Sequence, residues 1–181
     1  MQDQHKFRHA AVALGGTFDI LHLGHERLFE KAFGLGRLVF VGIAGDVLVK
    51  KLGKTHPVGP FDERVQNVKN FLRSRGWLNR AKIVKLRDRF GPASRRKRLN
   101  ALIVSEETRS QARQVNSLRR ARGLPPLKIY VVKLVKDNAG CPISGSRIRR
   151  HEVDKSGKLL FKRTSRLHVR LSSDFNPLSV E

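Results

Sequence analysis

The chain of 181 residues has a single cysteine, Cys141, so it holds neither an internal disulfide framework nor the thiolates of a metal cluster. It has one tryptophan and one tyrosine, with aromatics at 7% overall, which leaves few rings for stacking on nucleic-acid bases. Long apolar runs are missing. The longest, residues 38–44, falls far short of the roughly 20 that a membrane span needs. The opening residues, MQDQHKFRHA, lack the apolar stretch of a secretion signal, so a cytoplasmic protein without membrane contact is expected. Acids are scarce too: 15 Asp and Glu stand against 38 Lys and Arg, a formal charge of +23. Between residues 73 and 123 there are 16 basic and three acidic side chains. Such a field draws polyanions, whether nucleotides, a phosphorylated substrate or nucleic acid. A solvated surface suited to an unusual cell interior accounts for it equally well.

What is present is a globular composition, 39% hydrophobic and 29% charged, in a length that fits one ordinary domain. Short apolar runs at 10–14, 38–43, 83–86, 101–104 and 129–135 predict strands covered on both faces, as in a parallel sheet. Between them, 25–33, 62–75 and 106–122 predict helices; in the first, Leu28/Ala32 and Phe29/Phe33 are i, i+4 pairs that form one buried stripe. The order β-α-β-α-β-β-α-β predicts a doubly wound, Rossmann-like α/β fold, a five-stranded parallel sheet with helices on both faces. Ligands of such sheets bind beyond the carboxyl ends of the strands, so the loops there are where chemistry is expected. A domain over residues 1–154 is expected, with 155–181 an extension of unassigned role in which Leu167, Val169 and Leu171 alternate like an edge strand.

The segment LGGTFDILHLGHERLF carries the sharpest signal. Gly15 and Gly16 end a buried strand where the backbone bends closely. His22 and His25 lie three apart at a helix start, where free N–H groups and positive potential make a phosphate seat, and Gly24 keeps the approach free of a Cβ. Singly, each feature has a plainer reading: a turn, a metal half-site, ordinary helix-start residues. Together, in one short window, they resemble the GTFDxxHxGH signature of the nucleotidyltransferase superfamily. The resemblance implies that His22 and His25 contact the ATP phosphates, with Gly16, Thr17 and Phe18 also in the ATP site. It places Thr17 beside the attacking phosphate oxygen of the acceptor and the α-phosphate. Asp19 then braces the loop or assists a cation rather than acting as a base.

A second segment, CPISGSRIRRHE, follows the last strong strand. Ser144 is suited to cap a helix, Gly145 and Ser146 leave small, donor-rich backbone in its first turn, and Arg147, Arg149 and Arg150 stand close by. A simple N-capped basic helix has the same appearance. The segment also resembles the ISSTxxR signature of the same superfamily, which implies that Arg149, at the motif's arginine, is a catalytic donor to the ATP phosphates beside His22 and His25, with Ser144 and Ser146 in the ATP site. Gly145 replaces the motif's second serine and Ser146 its threonine, which keeps the backbone N–H and removes one hydroxyl.

The middle of the chain narrows the substrate. PFDERVQNV, RDRFGPA and ALIVSEETRSQARQVNSLRRARGLPPLKIYVV are similar, in order, to landmarks of the archaeal and eukaryotic type of phosphopantetheine adenylyltransferase, over about residues 11–154. The cytidylyltransferase form RTEGIST is absent. The resemblance implies transfer of AMP from ATP to 4′-phosphopantetheine, without a covalent intermediate, with Mg²⁺ held mainly by phosphates and no dedicated metal ligands. Lys50 or Lys51 is a candidate for the acceptor phosphate or the ATP α-phosphate, though a solvated lysine pair looks the same. Arg64 either lies near the acceptor or pairs with Asp62 and Glu63 on a helix surface. Ser105 and Glu107 are placed to touch the ATP ribose or adenine, while helix capping by Ser105 with acids in the first turn explains them without a ligand. The alternatives are nucleotidyl transfer to another phosphorylated acceptor, and a basic nucleic-acid-binding protein whose footprint is Arg95, Arg96, Lys97 and Arg98 with the cluster 119–122. Incidental polyanion or RNA binding is compatible with catalysis.

Overall fold

Alternation along the first strand decides which face of the sheet each residue serves. In the computed structural model, which describes residues 7–53 and 56–160, β1 (His9–Gly16) sends Val12 and Leu14 to one face and Ala11 and Ala13 to the other. It pairs in parallel with β2 (Gly36–Ala44) and β4 (Ala101–Ser105), while β3 (Ala81–Leu86) and β5 (Lys128–Val132) extend the two edges. The strand order is β3-β2-β1-β4-β5, all parallel, so the expected doubly wound sheet is what forms. The chain runs outward from β1 to β3 and then returns to lay β4 on the other side of β1. That reversal opens a crevice between the ends of β1 and β4.

Helices α1 (Leu23–Leu35) and α3 (Phe61–Ser74) cover one face, where Phe29, Ala32, Phe33, Val68 and Leu72 join Val12, Leu14, Val39, Val41 and Ile103. Trp77 stacks on Phe33 with ring centroids 4.8 Å apart. On the other face α4 (Arg109–Ala121) brings Ala112 and Val115, and a 3₁₀ turn at Gly91–Ser94 brings Ala93, onto Phe40, Leu102 and Val104. Among the described residues no helix is long and apolar enough to cross a membrane.

Three local differences from the sequence expectation bear on the site. β5 stops at Val132 instead of 135, because the Leu134 amide donates to the Glu106 carboxylate (3.0 Å) and the Val135 carbonyl accepts from Ile143 (2.9 Å). The helix expected from 106 opens instead as a 3₁₀ turn, Glu106–Thr108, before α4 begins. Two short helices, α2 (Asp46–Lys51) and α5 (Gly145–Arg149), are too brief to show a periodic pattern. Residues 155–160 double back onto the core: the Lys155 carbonyl accepts from Leu23 (3.0 Å) and the Glu152 carbonyl from Leu160 (3.0 Å). The alternation at Leu167, Val169 and Leu171 lies outside the described residues.

Phe33 is 2% exposed between the sheet and Trp77. Phe33→Ala is expected to cost about 3–5 kcal/mol, read as a lower denaturant midpoint with an unchanged slope.

Candidate active site

A cavity of about 450 Å³ occupies the crevice at the carboxyl ends of the strands. Its walls are the end of β1 with the loop after it, the first turn of α1, the end of β4, the segment 132–135 and the start of α5. Gly16, Thr17, Phe18, His22, His25, Glu107, Ser144 and Ser146, all expected in the site from the sequence, line this one cavity.

The two histidines sit at the head of α1. His22 is its N-cap: the ring Nδ1 accepts the Gly24 N–H at 3.2 Å. An accepting Nδ1 carries no proton, so the neutral ring presents Nε2–H. Burial, with only 7% exposure, pushes the His22 pKa down to about 4. His25 lies against it with ring centroids 4.0 Å apart, and Phe18 meets His25 edge-on at 5.1 Å. A Cβ at Gly24 would stand 3.0 Å from the His22 ring, so glycine leaves the capping ring its room. A Cβ at Gly16 would likewise crowd the Phe18 ring at 3.0 Å. Phe18 adopts φ 51°, a left-handed conformation costly for an aromatic residue, and is held there by complete burial against His25 and Phe29.

The free amides expected at the head of α1 are not free. Leu23 donates to the Lys155 carbonyl and Gly24 to the His22 ring. Helix α1 therefore offers a phosphate its imidazoles and its positive end, not its first N–H groups. The free donors are on the opposite wall. Ser144 caps α5 by accepting from Arg147 N at 3.3 Å, and the amides of Gly145 and Ser146 meet no protein acceptor among the described residues. This wall is clamped from behind. Asp137, whose side chain is fully buried, accepts from the amides of Cys141 and Ala139 and from Arg147 (2.6 Å). The Cys141 N–H first, then Arg147 and the Ala139 N–H, hold the Asp137 carboxyl below its ordinary pKa against the opposing effect of burial.

Arg149, expected among the phosphate ligands, points to a shallow hollow beside the main cavity and donates to Asp19 Oδ2. Asp19 Oδ1 accepts the Gly59 N–H at 2.8 Å, so Asp19 braces the loop, as one of its two expected roles required. Arg64 lies near the cavity but not in its lining. It is 1% exposed, forms no pair with Asp62 or Glu63, and lies behind the cavity wall. Its guanidinium donates to the carbonyls of Gly59, Thr17 and Ala44 at 2.7–2.8 Å and to Asp46 Oδ1 at 2.8 Å. Those bonds use four of its five N–H groups, which leaves no free fork for an acceptor. Lys50 and Lys51 are exposed on α2 and do not line the cavity; from that stretch Leu48, Leu52 and His56 do. The i, i+4 spacing of Leu48 and Leu52 was the signal for that apolar flank. Arg89, Phe90 and Gln111 complete the rim, in and beside the RDRFGPA landmark. Ser105 lines the cavity and faces Thr108 (3.2 Å between hydroxyls), without a side-chain cap bond.

The basic footprint is divided. Arg95, Arg96, Lys97, Arg98 and Arg120 are exposed, but Arg119 is fully buried, donating to the carbonyls of Pro125, Ala93 and Arg96, and Arg122 donates to Ser94 O.

Against known proteins, the cytidylyltransferase-like family model matches residues 13–151. A phosphopantetheine adenylyltransferase of Methanopyrus kandleri is 45% identical over 148 residues, 82% of this chain and 93% of that protein. One from Thermococcus gammatolerans is 41% identical over 151 residues, 83% and 94% of the two chains. The chain belongs to the phosphopantetheine adenylyltransferase family. Among solved structures, a protein of unknown function from Archaeoglobus fulgidus matches with a TM-score of 0.60 and 33% identity, covering 67% of this chain and 88% of its own. The family match spans both motif walls, from the end of β1 through α5.

Two outcomes test this geometry. Because folded His22 titrates near 4 and an unfolded histidine near 6.5, the stability that neutral His22 provides is whole above about pH 6.5 and declines as pH falls towards 4. In the ligand-free protein its ring resonances should titrate with a midpoint near 4, and His22→Asn should flatten the loss of unfolding free energy across that window; a midpoint near 6.5 contradicts the buried cap. Arg64→Ala is expected to cost about 3–5 kcal/mol by denaturant unfolding, and Arg64→Lys nearly as much, because an ammonium cannot span three carbonyls and a carboxylate. A loss below about 1 kcal/mol for either would mean that these bonds carry little.

Proposed function

We propose that this protein transfers AMP from ATP to 4′-phosphopantetheine, forming dephospho-coenzyme A and diphosphate in coenzyme A biosynthesis. The observation that carries the reading is the pairing of His22 and His25 with the free amides of Gly145 and Ser146 across one cavity, in a chain of this family.

The acceptor is already a phosphate anion at neutral pH and needs no general base, so no nucleophilic side chain is called for. An acceptor oxygen forms a bond to the ATP α-phosphorus in line with the departing diphosphate. The protein's work is alignment and stabilisation of the charge that builds on the transferring and leaving oxygens. His22 Nε2–H, as a neutral donor, and His25 serve the phosphates from α1. The Gly145 and Ser146 amides serve them from α5, and Thr17 stands between at the end of β1. Glu107 and the backbone of 132–135 form the β4–β5 flank, suited to the nucleoside. The flank of Leu48, Leu52, Leu86 and Phe90 is apolar, suited to the pantetheine arm.

Magnesium is expected to arrive with ATP. The described residues gather no group of three His, Cys, Asp or Glu that could hold an ion. Among the described residues only Asp19 and Glu107 bring carboxylates to the cavity, and both oxygens of Asp19 are engaged. An ion carried in by ATP would be held by phosphate oxygens and water and would neutralise phosphate charge.

The test is turnover of ATP with 4′-phosphopantetheine, following dephospho-coenzyme A and diphosphate, with glycerol 3-phosphate and flavin mononucleotide as parallel acceptors. Product with phosphopantetheine alone is expected; product with another acceptor instead overturns the substrate, and silence with all three overturns the reaction. His25→Ala is expected to lower kcat at least about a hundredfold with folding intact by circular dichroism. Near-normal turnover would remove His25 from the phosphate site.

A further inference from the structure

Asp19 has a place in the structure that a loop brace alone does not require. Its two carboxylate oxygens go to two different walls. Oδ1 takes the Gly59 amide just before α3, at 2.8 Å, and Oδ2 takes the guanidinium of Arg149 at the end of α5. The carboxylate is itself fixed. Phe18, the residue before it, is buried in the left-handed conformation, and Arg64 pins both neighbours of the arrangement by donating to Thr17 O and Gly59 O. Arg149 is the opposite case: its side chain is 37% exposed, at the end of a five-residue helix, and its other N–H groups meet no protein acceptor among the described residues. A free arginine at such a position samples many rotamers; held by one nitrogen on a fixed carboxylate, its planar group keeps one edge bound and one edge open.

We propose that Asp19 is a positioning residue for the transfer: it holds Arg149 by one edge in the hollow beside the cavity, so that the open edge is offered to phosphates that extend past the cavity. This rests on the adenylyl-transfer reading and on Arg149 as a phosphate ligand, and it adds the group that aims that ligand. Preorganised donors lower the barrier because no ordering is left for the moment of reaction. Asp19 makes no contact with the reacting atoms and moves no proton. Its carboxylate also offsets local positive charge from Arg149 and Lys155, which share the hollow.

The test is a double-mutant cycle on the full chain, reading kcat and KM for ATP separately in wild type, Asp19→Asn, Arg149→Ala and the double variant. Asn keeps an acceptor for the Gly59 N–H and loses the charged partner of Arg149. Each single change is expected to lower kcat/KM at least tenfold, chiefly through kcat, and the double variant to be no worse than Arg149→Ala. Added guanidinium chloride at millimolar levels should restore part of the activity of Arg149→Ala but none of the double variant. Losses that multiply, or rescue that does not need Asp19, overturn the proposal. Should Asp19→Asn fail to fold, Arg149→Lys decides without touching Asp19: an ammonium offers no two-edged fork, so kcat should fall as far as in Arg149→Ala, and near-normal kcat overturns the proposal. A wild type that makes no dephospho-coenzyme A defeats the transferase reading itself, whereas normal wild-type turnover with independent losses defeats only the role of Asp19.

Discussion

Loops at the ends of parallel strands are rich in carbonyls that no neighbouring strand can take, and buried carbonyls without donors are costly. In this protein arginine side chains take many of them. Arg64 joins Thr17, Ala44 and Gly59, which ties the loops after β1 and β2 to the start of α3. Arg119 joins Ala93, Arg96 and Pro125, fastening the 3₁₀ turn and the approach to β5 onto α4. Arg147 joins Cys141 and Pro142 and closes on Asp137 and Glu152, which sets the approach to α5. Arg80 reaches Phe33 and Gly36 at the opposite end of the sheet. A planar fork with five donors can serve several carbonyls at once, which an ammonium cannot. Burying such a charge carries a desolvation cost, visible in the lowered pKa of Arg119, and the converging carbonyls offset it. Everything the site requires, namely the bend at Thr17, the Gly59 corner and the α5 turn, hangs from these groups.

This changes the meaning of the charge. Read as a sequence, +23 is a field around the molecule. Folded, several of its arginines are internal fasteners, while others, such as Arg95, Arg96, Lys97 and Arg98, face outward. Composition could not separate the two populations. The partners of Arg64 lie 5, 18, 20 and 47 residues away, whereas local spacing pointed only to its helix neighbours.

The sheet was legible because its strands are covered on both faces and so stand out as apolar runs, and because the two motifs follow strands whose ends face one crevice. Most of the expected ATP-site residues meet there for the same reason. What escaped was short or long-range. α2 is under two turns long, so the exposed Lys50 and Lys51 stood in for Leu48 and Leu52, which line the cavity. The first amides of α1 looked free because nothing local announces that the Lys155 carbonyl, far along the chain, returns to meet Leu23. Arg149 was legible as a basic residue at a helix but not as one tethered to Asp19 across the site.

One ring at the head of α1 has two duties, and together they restrict what evolution can place there. In the proposed transfer, position 22 must accept a backbone hydrogen on one side and present a hydrogen to phosphate on the other, without charge and while largely buried. Serine and aspartate are good caps, but aspartate would set a negative charge against incoming phosphates and serine is too short to do both. Carboxamides are the other uncharged planar heads with an acceptor and a donor side by side. Drift at this position is therefore confined to imidazole and, at some loss of reach, asparagine or glutamine, however freely the outer surface of the helix varies.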